Sequence, residues 1–169
     1  NHSTVIEQAR KLASEPYRPP PEADSNLRGL SYDSYRDIRF KTDQQIWRGQ
    51  ERGFTLDLLH SGFIYRHNIG IYLVQDGKAR QIAYDPNLFD FGPLAEAARG
   101  TAAPGYSGVR LRTALNDSDY LDEFAVFQGA TYLRAVGQGQ NYGLSARGLA
   151  IATAEPKGEE FPIFRSFWV

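Results

Sequence analysis

From Ser31 onward the apolar residues of this chain recur at every second position, and that period excludes most folds before any motif is read. Ile38 and Phe40, then Phe54, Leu56 and Leu58, then Val109 and Leu111 alternate with polar neighbours such as Arg39, Thr55, Asp57 and Arg110. Residues two apart on an extended strand share a face, so this alternation predicts strands with one buried and one wet side. Ile69, Ile71 and Leu73 point one way and Tyr72 and Val74 the other, which predicts a strand covered on both faces. Asp76-Gly77 follows that run and precedes residues 80–84, a strong signal for a two-residue hairpin. Residues 124–128, 131–136 and 149–153 read as three more strands, and residues 93–99 as a helical turn or two. Many short strands separated by turn clusters predict an all-β sandwich or barrel.

The first 29 residues follow a different rule. Thr4 and Glu7 match a capping box, with Thr4 as N-cap, and Val5, Ile6, Ala9, Leu12 and Ala13 recur at helical spacing. Residues 1–15 are therefore expected to form one short amphipathic helix, ended by Pro16. Pro19, Pro20 and Pro21 force extended backbone, so residues 16–29 read as a proline-rich strap running over a body. Residues 30–169 would form the β-sandwich. The last nine residues are apolar and aromatic, so the sheet reads as unfinished and the chain as part of a larger domain.

Composition narrows the function classes. Nineteen cations against twenty carboxylates give a net charge of −1, so no global basic field exists to hold nucleic acid. Fifteen of the cations are Arg, the residue suited to bidentate hydrogen bonding and ring stacking. Absence of cysteine excludes disulfides and thiolate metal sites. No apolar run approaches the ~20 residues that span a membrane.

Residues 129–148 hold the candidate site. Five glycines, two tyrosines and two arginines fall within twenty residues, predicting turns or backbone that something approaches closely. Tyrosine, arginine and amide side chains among them are tools for gripping a polar, ring-shaped ligand. Gly143-Leu144-Ser145-Ala146-Arg147 approaches a nucleophile elbow but ends in Arg and lacks the strand–turn–helix that motif needs. Gly137, Gly139 and Gly143 are out of step for a dinucleotide fingerprint. Of the three histidines, His60 at a strand end is the better candidate for a ligand contact. No convincing metal set assembles. Asp117, Asp119, Asp122 and Glu123 lie where Asp is favoured for turn hydrogen bonds, and no carboxylate pair declares itself a catalytic dyad. Arg110 and Arg112 share a strand face; ion pairs with Asp residues are the favoured reading over a phosphate stripe.

The run from Gly129 to Ile151 resembles the hallmark segment of the periplasmic glucan biosynthesis protein G/D family. The similarity extends to Gly158-Glu159-Glu160-Phe161-Pro162, Phe167-Trp168, residues 30–40, Trp47 and His60-Ser61-Gly62-Phe63, and so covers nearly the whole chain. The resemblance implies a periplasmic protein with a mutarotase-like supersandwich domain, incomplete here, and an immunoglobulin-like domain beyond this chain. It implies biosynthesis of osmoregulated periplasmic glucans by binding, and hydrolysing or remodelling, a β-1,2-glucan backbone, with inverting β-1,2-glucanases among its members. A non-catalytic scaffold assisting a membrane glucan synthase is the alternative. The partners it implies are β-1,2-glucan or its oligosaccharides, with that synthase and a second copy of the chain as protein candidates. No cofactor is implied. Tyr132, Arg134, Gln140, Tyr142 and Arg147 would line or support the cleft, with Glu159 and Glu160 behind them, while no catalytic residue carries over to this chain. Two positions depart from the family pattern: Ala152 where Asp is expected, and Leu133 where Phe is commoner.

Overall fold

A computed structural model describes residues 1–23, 25–100, 104–141 and 143–169. Helix α1 spans His2–Ser14. It starts earlier than the capping box predicts: Asn1, not Thr4, is the N-cap, its side chain accepting from the Thr4 N–H at 3.0 Å and from the Thr4 hydroxyl at 3.1 Å. None of its residues is buried, and Ile6 and Leu12 remain exposed. The strap then crosses the body. The Ala23 N–H donates to Arg66 O, the Asn68 N–H donates to Pro21 O, and Ala23 and Leu27 are buried.

Where the alternation begins, a second short helix intervenes. Helix α2, Tyr32–Arg36, is capped by Ser31, whose hydroxyl accepts from the Ser34 N–H. Local capping outweighs the β pattern here because Ser31 supplies an acceptor to an otherwise orphaned donor. Strand β1 is Arg39–Phe40, β2 Thr55–His60, β3 Gly70–Gln75, β4 Lys78–Gln81 and β5 Phe89–Asp90. Helix α3, Ala95–Arg99, follows. Strand β6 is Tyr106–Thr113, β7 Asp122–Gln128, β8 Tyr132–Ala135, β9 Leu144–Arg147 and β10 Ser166–Trp168. No helix is long and apolar enough to cross a membrane among the described residues.

The strands make an antiparallel five-stranded sheet, β2-β6-β7-β8-β9, a three-stranded sheet, β10-β3-β4, and the pair β1-β5. The fold is all-β with one longer helix at its start. Strand β10 runs parallel to β3, so residues distant in sequence complete that small sheet. The predicted hairpin is present: Asp76 and Gly77 both take positive φ, 51° and 74°, and join β3 to β4. Strand β3 differs from expectation on one side. Ile71 is fully buried and Tyr72 stacks on Trp168, but Val74 is 43% exposed, so the second face is only partly covered.

Register explains the core. Leu58, Val109, Phe127 and Leu133 lie opposite one another across four strands of the large sheet, and Leu56, Leu111 and Ala125 form the next row. Phe167 and Val169 of the small sheet's end line an apolar cavity of about 280 Å³ together with Trp47, Leu56 and Leu111. The core of the molecule therefore lies between the two sheets. The opposite face of the large sheet is polar, and it forms the floor of a cleft.

The predicted strand at 149–153 is absent. Its place is taken by a single bridge, Ile151 to Glu160, because Ala152 and Ala154 adopt φ of 53° and 63° and break the extended run. Instead the Gly-rich segment, read as turns, supplies β9.

Candidate functional site

The site is assembled from one face of the five-stranded sheet. Asp57, Arg110, Val126, Arg134 and Ser145 lie in one row across all five strands. Gly108, Gln128, Tyr132 and Arg147 form the adjacent row. Because side chains opposite one another share a face, these two rows present one polar surface. That surface floors a cleft of about 1440 Å³, closed on its other side by residues of α2, of the β1 region and of the turn after β2.

Asp57 anchors the floor. Its side chain is 1% exposed, and Oδ2 accepts from Arg110 Nε and Nη2 at 2.9 and 2.7 Å and from Arg112 Nε at 2.8 Å. Oδ1 accepts from Gln45 Nε2 at 2.7 Å. Arg110 also reaches Glu123, at 3.3 Å. The ion-pair reading of Arg110 and Arg112 holds, and the Asp that pairs with both is buried. Fixed this way, the two guanidiniums line the cleft as rigid donors. The Arg112 pKa is moved above its ordinary value by Asp57, against the lowering effect of its own burial.

A second network holds the cleft wall. Between β2 and β6 the register shifts, so that His60 faces Tyr106 and Ser107 becomes the extra residue. Tyr35 of α2 and Ser107 both donate to His60 O, at 2.7 and 2.8 Å. Gln128 Nε2 donates to both hydroxyls, at 2.9 and 2.8 Å. Burial pushes the Tyr35 hydroxyl up to about 12, so it stays a neutral donor. His60 itself is packed into the core where it borders the cleft. It is 3% exposed, ringed by Tyr84, Phe89 and Phe91, with Nδ1 donating to Ser61 O at 2.5 Å and Nε2 accepting from the Tyr84 hydroxyl at 2.8 Å. A carbonyl can only accept, which fixes that tautomer.

The sequence-predicted residues divide. Tyr132, Arg134 and Arg147 line the cleft. Tyr132 shares a 2.9 Å hydroxyl–hydroxyl bond with Ser145, and the Arg147 guanidinium lies 4.0 Å from the centre of the Phe161 ring. Gln140 is not among the lining residues; its Oε1 accepts from the Gly137 N–H at 3.1 Å and closes its own loop. Glu159 accepts from the Ala154 N–H at 3.0 Å, and Glu160 bridges Ile151 through its backbone; neither lines the cleft. Tyr142 lies outside the described residues. Ser145 stands within β9, on a strand rather than an elbow. Asp117 accepts from the Asp119 N–H and Asp122 from the Asn116 N–H, the turn roles expected of that group.

Residues that sequence reasoning did not select are Asp57, Gln128 and the tyrosines 32, 35 and 65. Asp57 carries a local signal, since it alternates between Leu56 and Leu58 on a strand otherwise buried. The convergence of Tyr35, Ser107 and Gln128 has no local signal, because the three are 21 to 93 residues apart.

A family model described as periplasmic glucan biosynthesis protein, MdoG, matches residues 1–169. The chain belongs to this family. It is 49% identical over 173 residues to a glucans biosynthesis protein G of Vibrio cholerae serotype O1, covering all of this chain and 31% of that relative. Proteins of the same description from Shewanella sp. (strain MR-4) and Shewanella frigidimarina are each 48% identical over 98% of this chain and 31% and 30% of their own lengths. The chain thus spans less than a third of the relatives it matches. In this MdoG-family chain the cleft-lining Tyr132, Arg134 and Arg147 all belong to the Gly-rich segment.

Proposed function

We propose that this segment binds the backbone of a β-1,2-glucan during periplasmic glucan biosynthesis. The observation that carries the reading is the polar face of the large sheet, where Tyr132, Arg134 and Arg147 line one cleft with the Asp57-anchored Arg110 and Arg112. Sugar hydroxyls present lone pairs to such donors, and tyrosine rings offer faces for the pyranose C–H groups. Family membership and the relatives' names support the glucan as ligand and the periplasm as location. Tyr142 stays in this proposal on its place in the hallmark segment, and Gln140, Glu159 and Glu160 act as supports of the surrounding loops. Residues 30–169 would then be the first part of a glucan-binding domain, preceded by the helix at 1–15 and the strap at 16–29.

Within this segment the chemistry is recognition. Among the described residues, the carboxylates that line the cleft are Asp43, Asp90 and Glu123, and each has a local partner: Gln44, the Gly92 N–H and Arg110. Hydrolysis by an inverting pair requires an acid and a base across the bond with room for water. Such a pair would come from elsewhere in a longer protein. A scaffold beside a membrane glucan synthase is the second reading, favoured by these occupied carboxylates.

Titration calorimetry of the full-length protein with linear β-1,2-gluco-oligosaccharides tests the binding. Arg134→Ala should weaken it by about 1.5–3 kcal/mol, the size of a hydrogen bond to a charged group. Unchanged affinity in a folded variant removes Arg134 from the site. New reducing ends on incubation separate a hydrolase from a scaffold.

A further inference from the structure

Asp76 is the one aspartate in this chain that precedes a glycine, and no asparagine precedes one. The pair forms the tip of the β3–β4 hairpin, with Gln75 opposite Lys78 at the mouth of the turn. Residues 74–81 are all exposed, and β4 is an edge of its three-stranded sheet. The tip and the strand that leaves it thus stand in solvent. A hairpin with so little buried side chain opens locally at low cost.

Asp57 is held by two arginines, and Asp85, Asp90, Asp117 and Asp122 each accept a backbone N–H. Asp76 differs: among the described residues no group hydrogen-bonds to its carboxylate or to the Gly77 N–H. A Cβ placed on Gly77 would meet no heavy atom within 4 Å, so the Gly77 nitrogen is unshielded beside the Asp76 side chain. Asp76 also holds a φ of 51°, in the left-handed region that is unfavourable for an L-residue.

We propose that Asp76–Gly77 is a site of spontaneous aspartate isomerisation in the folded protein, and that the product loosens β4 from β3. The Gly77 nitrogen gives up its proton to water and attacks Cγ of the protonated Asp76 carboxyl. The N–Cγ bond forms, the Cγ–OH bond breaks and one water leaves, closing a five-membered imide. Water then adds at the former main-chain carbonyl carbon of Asp76, and the bond from that carbon to nitrogen breaks. The main chain now runs through Cβ and Cγ, with the α-carboxylate as a side group. One water is lost and one regained, so mass is unchanged and no oxidant or reductant takes part. The turn is one atom longer, however. A two-residue turn with positive φ at both positions fits its strands only at its own length. The bond from the Ile82 N–H to Ile71 O, beside the core, confines the loosening to β4.

The test is incubation of the full-length protein at neutral pH in water enriched in heavy oxygen, read by mass spectrometry. Trypsin, cutting after Arg66 and Lys78, isolates the pair in peptide 67–78. A second chromatographic form of that peptide should accumulate, carrying one heavy oxygen, with fragmentation placing isoaspartate at position 76. Its rate should lie within about tenfold of the rate in the free synthetic peptide, as an easily opened turn requires. A slower rate than that, or no second form, overturns the site. Asp76→Glu, checked for folding by thermal melting, should yield no second form, because its imide ring would need six members. A second form in that variant assigns the reaction to another residue and overturns the proposal. Amide hydrogen exchange should be faster at β4 in aged than in fresh protein and unchanged in β2 and β6. Equal exchange at β4 overturns the loosening.

Discussion

His60 illustrates how one side chain is given its chemistry by its surroundings. Its ring is enclosed by aromatics and bonded at both nitrogens, and burial lowers its pKa below the ordinary 6.5. The folded protein therefore keeps it neutral, while the unfolded chain takes up a proton as the pH falls through about 6.5. Stability should decline on acidification from pH 7 to pH 5, and thermal melting of His60→Gln should show a shallower decline over the same range. A parallel slope for both proteins would mean that other groups dominate. Ala152 is the opposite case, a residue whose backbone disagrees with its side chain. At φ of 53° an alanine is strained, whereas the Asp expected by family resemblance is among the residues that tolerate this region. Replacing Ala152 by Gly should raise stability by about 0.5–1 kcal/mol in urea unfolding. A loss of stability would show that the Ala152 methyl makes a contact worth more than the strain.

At the scale of elements, the Gly-rich segment is the instructive one. The reading of its glycines as turns or close approaches holds at Gly143, where a Cβ would run into the Ala135 carbonyl of β8. That approach lets β9 begin beside β8, and Leu144–Arg147 pairs with Tyr132–Ala135 in full antiparallel register. Gly143→Ala should therefore cost about 1–3 kcal/mol in denaturant unfolding, as overpacking does elsewhere, and weaken the β9 edge first in hydrogen exchange. Alternation revealed β2 and β6 because each turns one face to the core, and apolar runs marked β3 and β7. It missed β9, whose residues are all exposed and so carry no apolar rhythm. It also named 149–153 a strand, where the left-handed Ala152 decides otherwise.

At the scale of the molecule, Asp57 joins parts that no short-range rule connects. One buried carboxylate fixes Arg110 and Arg112 of β6, accepts from Gln45 ahead of β2, and through Arg110 engages Glu123 of β7. Asp57→Asn should destabilise by about 3–5 kcal/mol, the size of a broken buried ion pair, and denaturant unfolding measures it. A loss under 1 kcal/mol would show that the two guanidiniums find other partners. The sequence by itself determined the all-β class, the Asp76-Gly77 hairpin, the shared face of Arg110 and Arg112, and the family, because each rests on local period, turn chemistry or a contiguous motif. Only the tertiary structure decided that Asp57 is their partner, that His60 turns into the core, and that aromatic residues of α2 and of the turn after β2 line the same cleft as the hallmark strands. Those outcomes depend on register, on the bulge at Ser107 and on contacts between residues far apart in the chain, and no local pattern encodes them.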